Sequence, residues 1–357
     1  MNHMRILKRS WNTLWSYKTL WVFGILLALT AGGTLNGTNG SPRANVSYNE
    51  DWPRNLNPQE IEQLPSEIRE AVRELYDLTV NPLPQETINT IIGISIALVC
   101  LALLVAVVFF VLRYVSQTAL IRMVDRYETS GEKVNWRAGF RLGWSRSAWR
   151  LFLIDLLIFL PVFCGTLLAA AFVVIPILLS LAIGGIGTIA GIVLAIGLGF
   201  LLVFAAILLA IALAMAREVF YRECVLRGTG VLDSFRRGFA TIRANLKDLF
   251  LVWLLLLAIY IGYAVLAIPV GLVLAILGLA VGAGVGVGLY LVLQAGSQLT
   301  ALIVGGLAGL FFLGVIVGIP TLFLQGLRET YMSTAWTLAY REIPASVPEP
   351  EVAGTTG

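Results

Sequence analysis

Residues 249–327 carry no charged side chain, and this run constrains the fold more than any other feature of the sequence. A helix needs about 20 mainly apolar residues to cross the hydrocarbon core of a bilayer, so the run is long enough for two crossings or more. The whole chain agrees, because 58% of its residues are hydrophobic and 13% are charged, against roughly 25% charged in soluble domains. The sequence therefore predicts an all-α, polytopic integral membrane bundle.

Six stretches have the length and apolarity of transmembrane helices. They are 19–33, 88–112, 151–180, 186–215, 249–280 and 300–325. Segments 113–150 and 217–248 hold eight and seven Lys or Arg residues, respectively. The loop 34–87 holds four Lys or Arg residues and nine Asp or Glu residues. Because cytoplasmic loops carry the excess of Lys and Arg, both termini are predicted to be cytoplasmic.

Two alternatives to this topology stay open. The basic start of the chain, with Arg5, Lys8 and Arg9 before an apolar run, also fits a secretory signal, although no clear cleavage site follows it. The run 249–327 is also long enough for a third span, with Pro269 and Pro320 as breaks. That span would move the C-terminus to the outside.

The predicted domain organisation is a single transmembrane domain over 1–342 and a disordered cytoplasmic tail over 343–357. Within the domain, the loop 34–87 is extracytoplasmic, and its second half is expected to form a short helix. Segments 113–150 and 217–248 are predicted to be cytoplasmic and to lie at the membrane interface.

Short stretches recur along the chain and divide it into three parts. IRMVDRYE (121–128), AREVFYRE (216–223) and AWTLAYRE (335–342) each end a helix that runs inward. WRAGF (136–140) is echoed by FRRGF (235–239), and each precedes a helix that runs outward. This pattern predicts three pseudo-repeated helical hairpins, each preceded by a basic amphipathic helix.

The amphipathic segments combine an apolar stripe with flanking positive charges. In 232–247 the stripe comprises Leu232, Phe235, Phe239, Ile242 and Leu246; in 136–150 it comprises Trp136, Phe140 and Trp144. Such helices lie flat in the interface, and their long basic side chains extend toward anionic headgroups. The residues predicted to do so are Arg137, Arg141, Arg146, Arg150, Arg236, Arg237, Arg243 and Lys247. The alternative is that they only fix the topology.

Small residues recur every four positions in two of the predicted spans. They are Gly187, Gly191, Ala195 and Gly199, and Gly278, Gly282 and Gly286. This spacing is typical of membrane helices whose backbones approach closely. The stretch GAGVGVG (282–288) lacks the spacing of a nucleotide-binding loop, so helix packing is the interpretation.

Asp155 is the one acid inside a predicted span. Charges in such positions usually find a partner, and the available bases at comparable depth on other helices are Arg113, Arg122 and Arg217. An ion pair with one of them is the favoured interpretation. A solvated acid at the interface and a proton-coupled site are the alternatives.

Residues suited to catalysis or metal binding are sparse. The chain has one histidine, His3, and three cysteines, Cys100, Cys164 and Cys224. No metal-ligand set, catalytic triad or disulfide framework can be assembled from them. We therefore expect no cofactor, no metal and no enzymatic activity.

The stretches WRAGFRLGWSRSAWRLFLIDLLI and DSFRRGFATIRANLKDLFLVWLLLL resemble a family of poorly characterised prokaryotic six-helix membrane proteins. That family includes the membrane domain fused to some glycerophosphodiester phosphodiesterases. The resemblance covers roughly residues 110–342, and the phosphodiesterase domain is absent, so no catalytic residue is carried over. It implies a module of the prokaryotic plasma membrane that faces lipids or partner proteins.

Two functions remain after these exclusions, with an intramembrane enzyme as a more distant third. The first is a non-enzymatic membrane module that organises lipid, anionic lipid in particular, or a protein partner, including a second copy of itself; nucleic acid is not expected. The second is a transporter or permease of small solutes or ions. A conducting path needs a polar lining, and the spans show only one polar cluster, Gln294, Ser297, Gln298 and Thr300.

Overall fold

The computed structural model describes residues 2–30, 85–183, 186–294 and 298–343, and over these ranges the chain is helical without strands. The helices are α1 (His3–Ser16), α2 (Thr19–Thr30), α3 (Gln85–Ser130), α4 (Trp136–Gly143), α5 (Arg146–Ile183), α6 (Ile186–Leu226), α7 (Val231–Ala244), α8 (Leu246–Leu293) and α9 (Gln298–Glu342). The predicted helix of the 34–87 loop and residues 344–357 of the predicted tail lie outside the described residues.

Five of the described helices are long and apolar enough to cross a membrane. Their candidate spans are Ile92–Ser130, Arg146–Leu178, Gly191–Leu226, Leu246–Leu293 and Thr300–Glu342. Helices α1 and α2 meet at a bend of 100° and would form a sixth candidate if they were one broken span. The prediction of an all-α protein with several membrane-spanning helices is confirmed.

Three of the long helices continue well beyond the predicted span ends at 112, 215 and 325. Helix α3 runs to Ser130, α6 to Leu226 and α9 to Glu342. The recurring stretches 121–128, 216–223 and 335–342 are therefore the last turns of these helices. Many side chains of these turns are buried in the protein, whereas most large apolar side chains in the middle of the helices are exposed. The protein core thus lies at the basic ends of the helices.

Two helices, α8 and α9, cover the charge-free run 249–327 except for residues 294–297. Pro269 and Pro320 lie inside these helices and do not end them. A proline removes one helical hydrogen bond, a loss that a long helix can absorb. The excess length over two crossings is therefore taken up by helices longer than the bilayer core requires.

The chain divides into two compact units. The first contains Met1–Leu27, Arg113–Tyr260 and Leu327–Gly357, and the second contains Ala28–Leu112 and Ile261–Gly326. In the first unit, an apolar cluster joins the bend between α1 and α2 to the end of α3. Its members are Tyr17, Leu20, Phe23, Leu27, Ala119, Leu120, Met123, Val124 and Val134.

Tyr17, in the bend between α1 and α2, ties this cluster to the turn after α3. Its hydroxyl donates to the carbonyl oxygen of Val134 at 2.8 Å and accepts from the Val134 N–H at 2.6 Å. Burial raises the pKa of Tyr17 to about 12. Lys133 adds a bond from Nζ to the carbonyl oxygen of Ser16 at 2.9 Å.

In the second unit, α8 and α9 approach through glycines. A Cβ at Gly282 would lie 2.6 Å from the carbonyl oxygen of Gly309, and one at Gly305 would lie 2.6 Å from that of Gly286. A Cβ at Gly278 would lie 2.9 Å from Val317 Cγ2. The structure thus places all three predicted glycines of α8 at a close helix contact.

The predicted glycine row of α6 is arranged differently. Ala195 is buried and Gly191 is half-buried, but a Cβ at Gly199 would have no atom within 4 Å. The side-chain position of Gly187 lies outside the described part of the chain. At 3.6 residues per turn, each step of four residues rotates by about 40°. A row of four residues therefore turns away from a straight neighbour by roughly 120°, and its last member loses the contact.

Candidate functional site at the basic ends of the helices

Asp155 lies on α5 and forms a two-pronged ion pair with Arg217 of α6. Arg217 Nε is 2.8 Å from one carboxylate oxygen, and Nη2 is 2.9 Å from the other. The Asp155 side chain is 19% exposed and that of Arg217 is 34% exposed. Paired charges at this depth spare each other the cost of being buried alone.

Two tyrosine hydroxyls complete the surroundings of the Asp155 carboxylate. Tyr221 of α6 donates to the oxygen that faces Arg217 Nε, and Tyr114 of α3 donates to the other oxygen at 3.0 Å. The guanidinium of Arg217 also stacks over the Tyr221 ring at 5.0 Å. This Asp155 cluster, made of Tyr114, Asp155, Arg217 and Tyr221, connects α3, α5 and α6.

The other two arginines considered for Asp155 do not form its ion pair. Arg122 donates from Nη1 to the carbonyl oxygen of Leu142 at 3.0 Å and from Nη2 to Ser147 Oγ at 2.9 Å, which joins α3 to α4 and α5. Arg113 is not among the described partners of Asp155. The sequence analysis missed both tyrosines. Tyr221 follows Arg217 by four residues and so shares its helix face, whereas nothing in the sequence indicates Tyr114.

A second charged cluster lies at the end of α6, and its two central residues, Arg222 and Glu223, are fully buried. Arg222 donates from Nη1 to the backbone and side chain of Glu218, and from Nη2 to the carbonyl oxygen of Ser333 on α9 at 3.2 Å. Glu223, also without exposed surface, lies 3.5 Å from Arg227 Nε and accepts from Thr241 of α7 at 3.4 Å. These contacts join the end of α6 to α7 and α9.

The three short helices α1, α4 and α7 all bury small or hydroxyl side chains against the protein. These are Ser10 and Thr13 in α1, Gly139 and Gly143 in α4, and Ser234, Gly238 and Thr241 in α7. Helix α1 also buries Ile6 and Leu14. A Cβ at Gly139 would lie 2.5 Å from Met123 Sδ, and one at Gly238 would overlap the Phe220 ring. The backbones of α4 and α7 therefore lie directly against the ends of α3 and α6.

The same helices leave large apolar side chains exposed. Leu232 and Phe239 of α7 are 75% and 62% exposed, and Trp144 after α4 is 64% exposed. Trp11 and Trp15 of α1 and Trp136 of α4 are also exposed. The predicted stripe of α7 is thus split, because Phe235 packs on the Phe220 ring at 4.5 Å and Ile242 is buried.

Most of the basic residues predicted to face headgroups are exposed. Those in exposed positions are Arg137, Arg141, Arg146, Arg236, Arg243 and Lys247, and Arg237 is half-buried. Arg150 differs from the prediction. Its Nη1 donates to the carbonyl oxygens of Gly228 and Thr229 at 2.7 and 3.1 Å. Carbonyls just after a helix have no partner within it, which explains why this turn takes the arginine.

A scan against known families places these features in one group. A model described as "Family of unknown function (DUF7544)" matches residues 9–339. The chain belongs to this family. No curated protein and no solved structure matches significantly. The matched region contains the Asp155 cluster, the charged cluster of α6, all of α4 and α7, and the last eight residues of α1.

The family itself carries no assigned chemistry, so the site has to be interpreted from its geometry. Among the described residues, no group of three or more His, Cys, Asp or Glu side chains could hold a metal ion. The charges of the Asp155 cluster and of the α6 cluster are taken up by protein partners. What the arrangement presents outward is a set of exposed large apolar and basic side chains on α1, α4 and α7.

Proposed function

We propose that this chain is a non-enzymatic membrane module that holds three basic amphipathic helices in the cytoplasmic interface of a prokaryotic plasma membrane. There the helices would gather anionic lipids. They would also gather a membrane-protein partner, or a second copy of this chain, that binds the same lipids. The ion-paired clusters of α5 and α6 would serve to fix the helix ends that carry these three helices.

The observation that supports this proposal most is the inverted burial of α4 and α7. An amphipathic helix on a soluble protein buries its large apolar residues and exposes the polar ones. Helix α7 instead buries Ser234 and Gly238 and exposes Leu232 and Phe239. Exposed apolar area costs roughly 25 cal/mol per Å² in water, and contact with the acyl boundary of a bilayer removes this cost.

The accompanying charges favour an anionic surface. Exposed arginines and lysines accompany the apolar side chains on α4, α7 and the starts of α5 and α8. A basic side chain close to an anionic membrane contributes about 1 kcal/mol. Tryptophans, which prefer the level of the headgroups, are exposed on α1 and α4.

The proposal includes six spans arranged as three pseudo-repeated hairpins, with both termini cytoplasmic. Its support is the order of the helices: α1, α4 and α7 are each followed, after one or two residues, by an apolar helix, and then by another apolar helix. Gly139 and Gly238, which correspond in the repeated motif, both lie against the preceding long helix. Kinship with the six-helix family suggested by the sequence belongs to the same proposal.

A transporter or permease is less well supported. Two of the hydroxyls within the candidate spans donate to their own helices: Thr166 to the carbonyl oxygen of Phe163, and Thr321 to that of Val317. Their O–H donors are therefore not offered to a solute.

We test the proposal by reversing three charges of α7, Arg236, Arg237 and Arg243, to glutamate. Electron paramagnetic resonance of spin-labelled phosphatidylglycerol and phosphatidylcholine around the reconstituted protein reports which lipid it prefers. We expect the wild type to prefer phosphatidylglycerol and the variant to lose most of that preference, since each charge near the surface contributes about 1 kcal/mol. Replacing the same three residues by lysine keeps the charge and should keep the preference. Equal preference in the wild type and the glutamate variant would contradict the proposal.

A further inference from the structure

A polar cleft lies where α1 meets the end of α3 and the turn that follows it. Its volume is about 430 Å³, and side chains on its wall include Arg9, Asn12, Ser16, Glu128 and Lys133. Clefts of roughly 300–1,000 Å³ hold small ligands. All of the side chains that line this cleft are polar or, at Gly131, absent, so a ligand that fits it presents a polar group.

The two cations of the cleft are held in place by the protein. Arg9 forms an ion pair through Nη2 with Glu128, whose side chain is buried. Lys133 donates from Nζ to the carbonyl oxygen of Ser16 at 2.9 Å and lies 6.0 Å from the centre of the Tyr127 ring. A guanidinium has five N–H donors and an ammonium three, so these contacts use only part of their capacity. Cations positioned beforehand lose little freedom when they bind an anion.

The net charge of the cleft matches a phosphodiester. Arg9 and Lys133 contribute two positive charges and Glu128 one negative charge, which leaves one positive charge in excess. The amide of Asn12 and the hydroxyl of Ser16 stand on the same wall and can donate to phosphate oxygens. A phosphodiester carries one negative charge and has oxygens for several such donors.

The position of the cleft indicates where this phosphodiester comes from. Trp11 and Trp15, on the same helix as Arg9 and Asn12, are exposed and stack edge to face with ring centres 5.8 Å apart. Tryptophans exposed in this way mark the level of the lipid headgroups. We propose that the cleft binds the phosphate of a glycerophospholipid headgroup. The proposal rests on the interfacial position of α1 in the proposed function and adds a specific lipid site to it.

The test uses the whole protein in a neutral detergent and native mass spectrometry. Dioctanoyl phosphatidylglycerol is the probe, and dioctanoylglycerol, which has the same chains without phosphate, is the comparison. We expect the wild type to retain the first and not the second. Lys133→Gln, which removes a cation, and Asn12→Leu, which removes an amide donor while leaving the Arg9–Glu128 pair intact, should each weaken binding about tenfold. Lys18→Gln removes one exposed charge from the bend between α1 and α2, outside the lining of the cleft, and should bind as the wild type does.

Three outcomes would overturn the proposal. Wild-type affinity in both Lys133→Gln and Asn12→Leu would show that the cleft is not the site. Equal losses in Lys18→Gln and Lys133→Gln would show unspecific attraction, which contradicts the cleft site and leaves the proposed function of α7 standing. Inorganic phosphate that displaces the lipid at equal concentration would show that the cleft takes the free anion and does not recognise a lipid.

Discussion

Replacing Asp155 by asparagine should lower the free energy of unfolding by about 3 kcal/mol, the lower end of what breaking a buried ion pair costs. The lower end applies because Arg217 is 34% exposed. Asparagine keeps the shape of the side chain but leaves Arg217 without its counter-charge. Its NH2 group also faces donors, because Tyr114, Tyr221 and Arg217 all donate to the carboxylate. Equilibrium unfolding in mixed micelles with increasing dodecyl sulfate measures the loss.

A double-mutant cycle with Arg217→Gln separates the ion pair from a functional role of the acid. Once Asp155 is replaced, removing Arg217 should cost less stability than it does in the wild type. Residues in contact show coupling free energies of about 0.5–3 kcal/mol, and we expect a value near the middle of this range. Arg122→Gln is the matched control, because Arg122 is held by Leu142 and Ser147; it should add to Asp155→Asn without coupling. Strict additivity with Arg217→Gln, or wild-type stability with loss of a proton-dependent flux, would contradict the structural role.

Replacing Gly309 by leucine should separate α8 from α9 and cost about 1–3 kcal/mol, as overpacking does. A Cβ at Gly309 would lie 2.7 Å from the carbonyl oxygen of Gly282 and 3.4 Å from the Cα of Gly286. These are backbone atoms, so no side-chain rotation relieves the overlap and the helices must move apart. The same unfolding titration measures the cost.

Gly306→Leu is the control for this prediction. Gly306 lies three residues before Gly309 on α9, and a Cβ there would have no atom within 4 Å. The added leucine should therefore change stability by less than about 0.5 kcal/mol. If the two variants lose equal stability, the loss comes from glycine replacement in general and the close contact between α8 and α9 is wrong.

The sequence predicted the helical membrane class and the region of the site, and the particular residues show why it stopped there. The depth of Asp155 along its predicted span limited its candidate partners to Arg113, Arg122 and Arg217. Which of them faces the acid depends on how α3, α5 and α6 are rotated about their axes, and a single sequence does not determine these rotations. The sequence did not indicate that the hydroxyls of Tyr114 and Tyr221 bind Asp155, because a tyrosine near the end of a span is equally typical of a lipid interface.

The short helices show a second limit. Periodicity placed Leu232, Phe239 and Ile242 on one apolar face of α7, yet the first two are exposed and the third is buried. Lipid and protein interior are both apolar, so hydrophobicity does not distinguish them. The informative signal was the set of small residues, Ser234, Gly238 and Thr241, which are spaced by four and three positions and mark the face that packs on the protein.

The depth of α7 in the bilayer tests the central claim that its exposed apolar face lies in lipid. Spin labels would be attached to Phe239→Cys and, for comparison, to Asp233→Cys, in protein whose exposed Cys100 and Cys164 are replaced by alanine. Asp233 is the comparison position because it lies on another side of the helix, about 100° around the axis from Leu232. Relaxation by oxygen, which concentrates in lipid, and by a water-soluble nickel complex gives the depth of each label. We predict that oxygen relaxes the label at 239 more strongly and that nickel relaxes the label at 233 more strongly. Stronger relaxation by nickel at both positions would place α7 in water and contradict the account.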